Sequence, residues 1–499
     1  MPLFSCQNLH ISKKYSTFAA ENVNFLWFTT AENVNFLRFT TAENVKMEMS
    51  MKRKIYAQLL DWKRNMQGKS ALLIEGARRI GKSYIVEKFA KNEYKSYIII
   101  DFARQDKEVI NIFEHYLSDF DMLFQMLSIH YDVELIPRNS VIVFDEVQQY
   151  PKARAAIKYL VADGRYDYIE TGSLISIKKN VKDIVIPSEE QHINMYPMDF
   201  EEFLWALDNT MLLSYIKECF DKRLPLGPIH RKAMDLFRLY MVIGGMPQAV
   251  DAYRLTKDFR QVERIKQDIL TLYRDDIRKY ATGAEQKALA VWDALPGQLQ
   301  MHDSRFVLAD LDPKARYMHY ESAFFWLNDS RIVNLCYNTT APNIGLGMNL
   351  ERTTLKCYMS DTGLLISQAF SDNGVVPATI YERLLHGNLE VNLGMVMENI
   401  VAQMLQANHH KLFFYHKSDK AESGNNMEID FLIAKSNVTN RKNIIPIEVK
   451  STKSYRITSL LKCVSKFNEY ISNPTVLHID DTETKDGITF LPIYMAYLL

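Results

Sequence analysis

The chain of 499 residues lacks any excess of charge, with 60 Lys and Arg against 60 Asp and Glu. A global electrostatic attraction to nucleic acid or to an anionic membrane is therefore excluded, although a local basic groove is not. Cysteine is also scarce. The five present (Cys6, Cys219, Cys336, Cys357 and Cys463) form no CxxC pair and match no zinc spacing. They read as reduced core residues of a cytosolic protein, the alternative being a redox role. No apolar run reaches the roughly 18 residues of a membrane span, and the N-terminus lacks a signal-peptide core. What is present, 47% hydrophobic and 24% charged residues, excludes a largely disordered chain. The length calls for about three domains, so the expectation is a cytoplasmic multidomain protein with no membrane partner.

The N-terminus repeats itself. Residues 20–30 read AENVNFLWFTT, residues 31–41 read AENVNFLRFTT, and a third copy starts at Ala42. An 11-residue period can specify a helical repeat. These copies, however, are nearly identical, uncapped and rich in Asn, Thr and Phe, as a translated short DNA repeat would be. Residues 1–46 are accordingly expected to lie upstream of the folded protein, which would begin at Met47, Met49 or Met51; the alternative is an unusual N-terminal arm.

From Lys52 onward a helical stretch (KRKIYAQLLDWKRN) leads to the apolar run ALLIEG. Further apolar runs follow at 94–102, 140–147 and 166–173, with helical stretches such as SYIVEKFAK and KARAAIKYLVA between them. Strands alternating with helices predict a parallel sheet covered on both faces. The fold class expected is thus α/β: a parallel-sheet core over 47–205, a helical section over 206–285, a small α+β module with a hairpin over 286–370, and a C-terminal α/β module over 371–499.

The strongest chemical signal is Gly76-Ala77-Arg78-Arg79-Ile80-Gly81-Lys82-Ser83, which fits GxxxxGK[ST] at every fixed position. It follows a strand and opens a helix, as a phosphate-binding loop must. Its backbone N–H groups would curl around the β- and γ-phosphates at the positive end of a helix. Lys82 supplies charge, Ser83 offers its hydroxyl to Mg²⁺, and Tyr84 follows as a further candidate contact. The run Val141–Phe144 ends in Asp145 and Glu146, placing two carboxylates at the tip of a buried strand, where ligands of open α/β sheets bind. Asp145 would hold Mg²⁺ through water and Glu146 would activate the attacking water. Thr171 and Ser173, ending the next strand, are candidate γ-phosphate sensors or simply turn residues. Arg78 and Arg79 are candidates for contacting phosphate or a neighbouring copy, and equally for plain solvation.

GARRIGKS, FDEVQQYP, ETGS, YPMDFEEFL, GGMPQAV and YMSDTGLL follow one another in order. This ordered set, spanning about residues 51–499, resembles the AAA-type ATPases of bacteria and archaea that carry a C-terminal domain of unknown function. The resemblance implies an ATPase core, a winged-helix-like middle, and a C-terminal module similar to the PD-(D/E)xK nucleases.

The C-terminal residues carry a reading of their own. MEIDFLI (427–433) and IPIEVK (445–450) look like paired strands. Strand alternation puts Glu448 and Lys450 on one face, where Asp430 could join Glu448 on one Mg²⁺ or Mn²⁺ while Lys450 positions water or steadies charge. By the resemblance, Glu398 completes such a site. Pro446 argues against a central strand there, and the ExK match Glu483-Thr484-Lys485 falls in a polar segment read as a loop. His409, His410 and His416 lack acidic partners at metal-ligand spacing and read as surface residues. The cluster Tyr320, Phe324, Phe325 and Trp326 reads as core, and Lys314, Arg316 and Arg331 are candidates for DNA phosphates. The functional expectation is a Mg²⁺-dependent ATPase coupling hydrolysis to DNA. Its alternative is a nucleotide-dependent switch whose nuclease-like module does not cut.

Overall fold

The computed structural model describes residues 51–173, 188–301, 305–343, 345–371, 376–386, 393–418, 426–435 and 441–499. The chain divides into two compact units, Met1–Lys52 and Arg53–Leu499. The repeats read at the N-terminus lie outside the described residues. All helices and strands of the described residues belong to the second unit.

The first layer of that unit is the expected parallel sheet. β1 (Ala71–Glu75), β2 (Ser96–Asp101), β3 (Ser140–Asp145), β4 (Asp167–Gly172) and β5 (Glu190–Asn194) lie in the order β2-β3-β4-β1-β5, and every pairing is parallel. β1 and β4 are buried along their whole length; ALLIE reads accordingly as an apolar run, whereas β4 buries Asp167, Glu170 and Thr171 among its residues. β5 was not anticipated. Its sequence EQHIN is polar because it is an edge strand with a half-exposed face. Under β3 the rings of Phe102, Phe113 and Phe144 pack edge to face at 5.6–5.8 Å, with Tyr150 stacked on Phe102 at 5.4 Å. This aromatic block fixes the strand tip that carries Asp145. The helix Pro151–Asp163 then starts on proline and stops at Gly164 in the left-handed conformation, as helix-end chemistry favours.

Five helices follow, from Phe200–Ala206 to the long Phe259–Tyr280. The helices Glu285–Gln300 and Tyr317–Asp329 then lead into the antiparallel hairpin β6 (Val333–Thr339) and β7 (Leu350–Met359). Helix, helix and hairpin follow in the expected order, but the hairpin does not stand alone. β6 pairs in parallel with β8 (Phe413–Lys417) through Tyr337↔Phe413 and Asn338↔Phe414. β9 (Met427–Ala434), β10 (Ile444–Val449), β11 (Thr475–His478), β12 (Glu483–Lys485) and β13 (Ile488–Pro492) complete an eight-stranded sheet ordered β12-β13-β11-β10-β9-β8-β6-β7. A boundary at residue 370 thus cuts across one sheet, since β6 finds its parallel partner far along the chain with no local signal to announce it.

Two local expectations are corrected. Pro446 sits in β10, an interior strand between β9 and β11. The missing N–H is tolerated because it falls between the isolated bridge from Ile444 to Ile471 and the start of the β11 ladder at Thr475. Glu483–Lys485 is a strand, not a loop: it is exposed and paired only with β13 at the sheet edge.

The motifs GGMPQAV and YMSDTGLL meet in space. Asp361, fully buried, accepts hydrogen bonds from Gly245 N at 2.5 Å and Leu364 N at 2.9 Å. A side chain at Gly245 would strike Met198 O at 2.1 Å, so this close approach requires glycine. Asn399 and Gln403, from the helix Leu393–Ala407, bond the Met359–Thr362 backbone and Thr362 Oγ1 at 2.8–3.1 Å. Lys266, wholly buried, donates to Val242 O at 2.9 Å. Satisfied buried networks of this kind fix one arrangement of the elements that they join, here the helical layer and the C-terminal sheet.

Candidate functional site

β1 delivers the phosphate loop to the C-terminal edge of the sheet, next to the tips of β4 and β3. At Gly76 an added Cβ would lie 2.4 Å from Met195 O and 2.5 Å from Ile80 Cδ1, so the turn closes only on glycine. Ala77 and Ile80 are buried beneath it. Gly81, at φ 91°, precedes the helix Lys82–Glu93 and aims its free N–H groups into the loop. Lys82 is 6% exposed, and its Nζ donates to Gly76 O and Ala77 O, both at 2.9 Å. Burial pulls its ammonium down to about 8, against the attraction of Glu146 and Asp145. Ser83 Oγ donates to Asp145 Oδ1 at 2.9 Å, and Thr171 bonds the same oxygen. Serine, aspartate and threonine hydroxyl and carboxylate groups therefore converge on one point beside a buried ammonium. This oxygen-rich donor set fits Mg²⁺ held together with a polyphosphate.

Glu146 stands at φ 52°, a left-handed conformation that costs on the order of 1 kcal/mol and is found where geometry serves function. Its N–H donates to Thr171 Oγ1 at 3.3 Å and its carboxylate accepts from Gln148. Ser173 is buried just past β4, and Tyr84 is exposed just past the loop. The two loop arginines separate. Arg78 pairs with Asp276 at 2.8 Å, and Tyr273 Oη donates to Arg78 O at 2.9 Å, so the long helix Phe259–Tyr280 clasps the loop. Arg79 is exposed, at φ 67°, along a groove with Asp251, Asp268 and Asp275.

Sequence reasoning missed the loop's anchor. Arg53, 6% exposed, donates to Ile80 O at 2.7 Å, Tyr196 O at 2.6 Å and Glu202 Oε1 at 3.1 Å. It thereby ties the loop to the YPMDFEEFL motif. The signal available was that motif's cluster of acids with no basic partner nearby in sequence.

The C-terminal candidates also meet, but differently. Glu448, 3% exposed, is paired with Lys450 at 2.7 Å, and Asp430 Oδ2 accepts from Val449 N at 2.8 Å. Glu398 accepts from Tyr358 Oη at 3.0 Å. Between them stands Lys356, fully buried, with Nζ 3.1 Å from Glu428, 3.7 Å from Glu398 and 3.8 Å from Asp430. Burial and the like charges of Glu398 and Glu448 push Asp430 up to about 7. Burial acts on Glu428 too, yet His416 and Lys356 hold that carboxyl at about 2. His416 is therefore not a plain surface residue: its Nδ1 lies 3.5 Å from Glu428 on the neighbouring strand. Among the described residues no group of three or more His, Cys, Asp or Glu side chains is placed to hold a metal ion. An ammonium between the carboxylates is not a place that fits Mg²⁺ or Mn²⁺, which needs oxygens at about 2.0–2.6 Å.

Of the remaining candidates, Tyr320 and Phe324 are buried and Trp326 Nε1 donates to Tyr280 O, so most of that aromatic cluster is core. Lys314 and Arg316 are exposed, whereas Arg331 is turned to Asn194 at 2.9 Å. Cys219, Cys336, Cys357 and Cys463 are buried free thiols. No helix among the described residues is long and apolar enough to cross a membrane.

Three family models match parts of the chain: an AAA domain over residues 68–204, a domain of unknown function over 234–373, and a second domain of unknown function over 393–495. A comparison with curated proteins returned no match. Among solved structures, a Walker-type ATPase of Pyrococcus abyssi is 14% identical, with 65% of this chain and 96% of that one covered at a TM-score of 0.39. The parallel sheet, the phosphate loop on β1 and the matching AAA domain together make residues 68–204 a P-loop ATPase domain.

Proposed function

We propose that the chain is a Mg²⁺-dependent ATPase that hydrolyses ATP at the tips of β1, β3 and β4. One observation carries the reading: Ser83 Oγ and Thr171 Oγ1 share Asp145 Oδ1 while Lys82 lies buried in the adjoining loop. Lys82 leaves its loop carbonyls for the β- and γ-phosphates as they arrive. Ser83 and Asp145 would hold Mg²⁺, which would supply charge neutralisation to the phosphoryl group. Glu146, oriented by Gln148, aligns the attacking water and takes its proton. Thr171 joins the Glu146 N–H to the Asp145 carboxylate, so both acids respond together to the γ-phosphate. The test is turnover of ATP with and without Mg²⁺. Turnover without the metal, or none with it, would contradict the reading.

We further propose that hydrolysis is coupled to DNA. Exposed Lys314 and Arg316 beside a helix–helix–hairpin support this reading, as does the buried Asp361 network joining the helical layer to the C-terminal sheet. Duplex DNA should then raise turnover, with the effect fading as salt rises. A second reading, a nucleotide-dependent switch whose C-terminal module recognises without cutting, is favoured by the placement of Lys356 among the carboxylates.

A further inference from the structure

Lys356 belongs to β7, yet its ammonium reaches acids from two other elements: Glu398 of the helix Leu393–Ala407, and Glu428 and Asp430 of β9. It is wholly buried, and its chain neighbours Leu355 and Cys357 are buried with it. The ring of Phe414 closes one side, 5.2 Å from Nζ to the ring centroid. We infer that Lys356 is the resident cation of this cluster, standing where a divalent metal would stand, so that the C-terminal module takes no Mg²⁺ or Mn²⁺ there.

Three observations carry this. First, the ammonium lies 3.1–3.8 Å from all three carboxylates. It fills the space between them, and a metal bound by the same oxygens would have to sit against it, charge against charge. Second, the lysine has no ready exit. It projects from a strand interior between buried residues, and leaving its acids would strand an unpaired buried charge. Third, the fourth acid has a cation of its own, since Lys450 holds Glu448 at 2.7 Å. The chain thus supplies two ammoniums of its own, Lys356 and Lys450, to the four carboxylates that a metal would need. The inference deepens the reading of a module that recognises without cutting, and is independent of the nucleotide half, where the metal arrives with ATP.

The test uses the full chain without nucleotide, titrated with Mn²⁺ while free Mn²⁺ is followed by electron paramagnetic resonance. The wild type should show no site that Asp430→Asn removes. Lys356→Met should bind Mn²⁺ about tenfold or more tightly than the wild type, and Asp430→Asn added to it should abolish the gain. A wild-type site lost in Asp430→Asn overturns the inference, as does a folded Lys356→Met protein that gains nothing. Should Lys356→Met not fold, the wild-type titration decides alone. Glu428→Gln, which leaves the lysine in place, should likewise gain no site. ATP binding at the phosphate loop is read separately and does not depend on either result.

Discussion

Two places in this chain gather carboxylates with lysine, and they do so to opposite ends. At the ATPase site Lys82 rests on the carbonyls of its own loop, while Asp145 is met among the described residues by the hydroxyls of Ser83 and Thr171, so both remain available to a ligand. At the C-terminal cluster Lys356 and Lys450 are committed to acids at 2.7–3.8 Å. The difference lies in who satisfies the charge. A binding site leaves charge to be completed from outside and accepts the cost in stability. A structural cluster completes it internally, and breaking such a buried pair is expensive.

The comparison can be broken most severely by chemistry. Glu146→Gln should lower ATP turnover by roughly 10²–10⁴, the usual worth of a positioned base, while the affinity for ATP analogue is retained; steady-state kinetics beside equilibrium binding would read both. Equal turnover in the variant would remove Glu146 from the mechanism.

Stability sharpens the contrast next. Lys450→Ala leaves Glu448 buried without its partner and should cost about 3 kcal/mol, measured by urea unfolding. Lys82→Ala removes an ammonium that burial already disfavours, and should cost little or nothing by the same measurement. A reversed order would mean that the roles assigned to the two lysines are wrong.

The smallest effect concerns pH. His192 lies between Glu190 and Glu75, at 3.5 and 3.4 Å. Hydrogen bonds to Glu190 and then Glu75 raise it from an ordinary 6.5 to about 9, with burial opposing them. Because the folded value is the higher one, its stabilisation is complete below pH 6.5 and is lost as pH rises from there through about 9. The side chain is 43% exposed, so solvent screens the gain and the slope will be shallow. His192→Gln should flatten the stability profile over that window, and an unchanged slope would assign the pH dependence elsewhere.

What was legible in the sequence divides along the same line. The phosphate loop and the acids at the tip of β3 were readable because their chemistry occupies consecutive residues, and because β1 and β3 announce themselves as apolar runs. β5 was not, since an edge strand can be as polar as EQHIN. The hairpin β6–β7 looked self-contained because its parallel partner β8 is remote in sequence. Lys356, in the second strand of that hairpin, carries no motif that marks it. That it fills the acid cluster depends on three elements meeting, which no spacing encodes. Arg53 beneath the loop left only the unpartnered acids of YPMDFEEFL as a signal, and Asp276 clasping Arg78 left none.

The measurement closest to the central claim is equilibrium binding of a non-hydrolysable ATP analogue with Mg²⁺ to the full chain and to its Lys82→Ala variant. The account predicts one saturable site in the wild type, weakened at least about tenfold in the variant, a difference of about 1.4 kcal/mol. Equal binding by both proteins, or none by either, would contradict it.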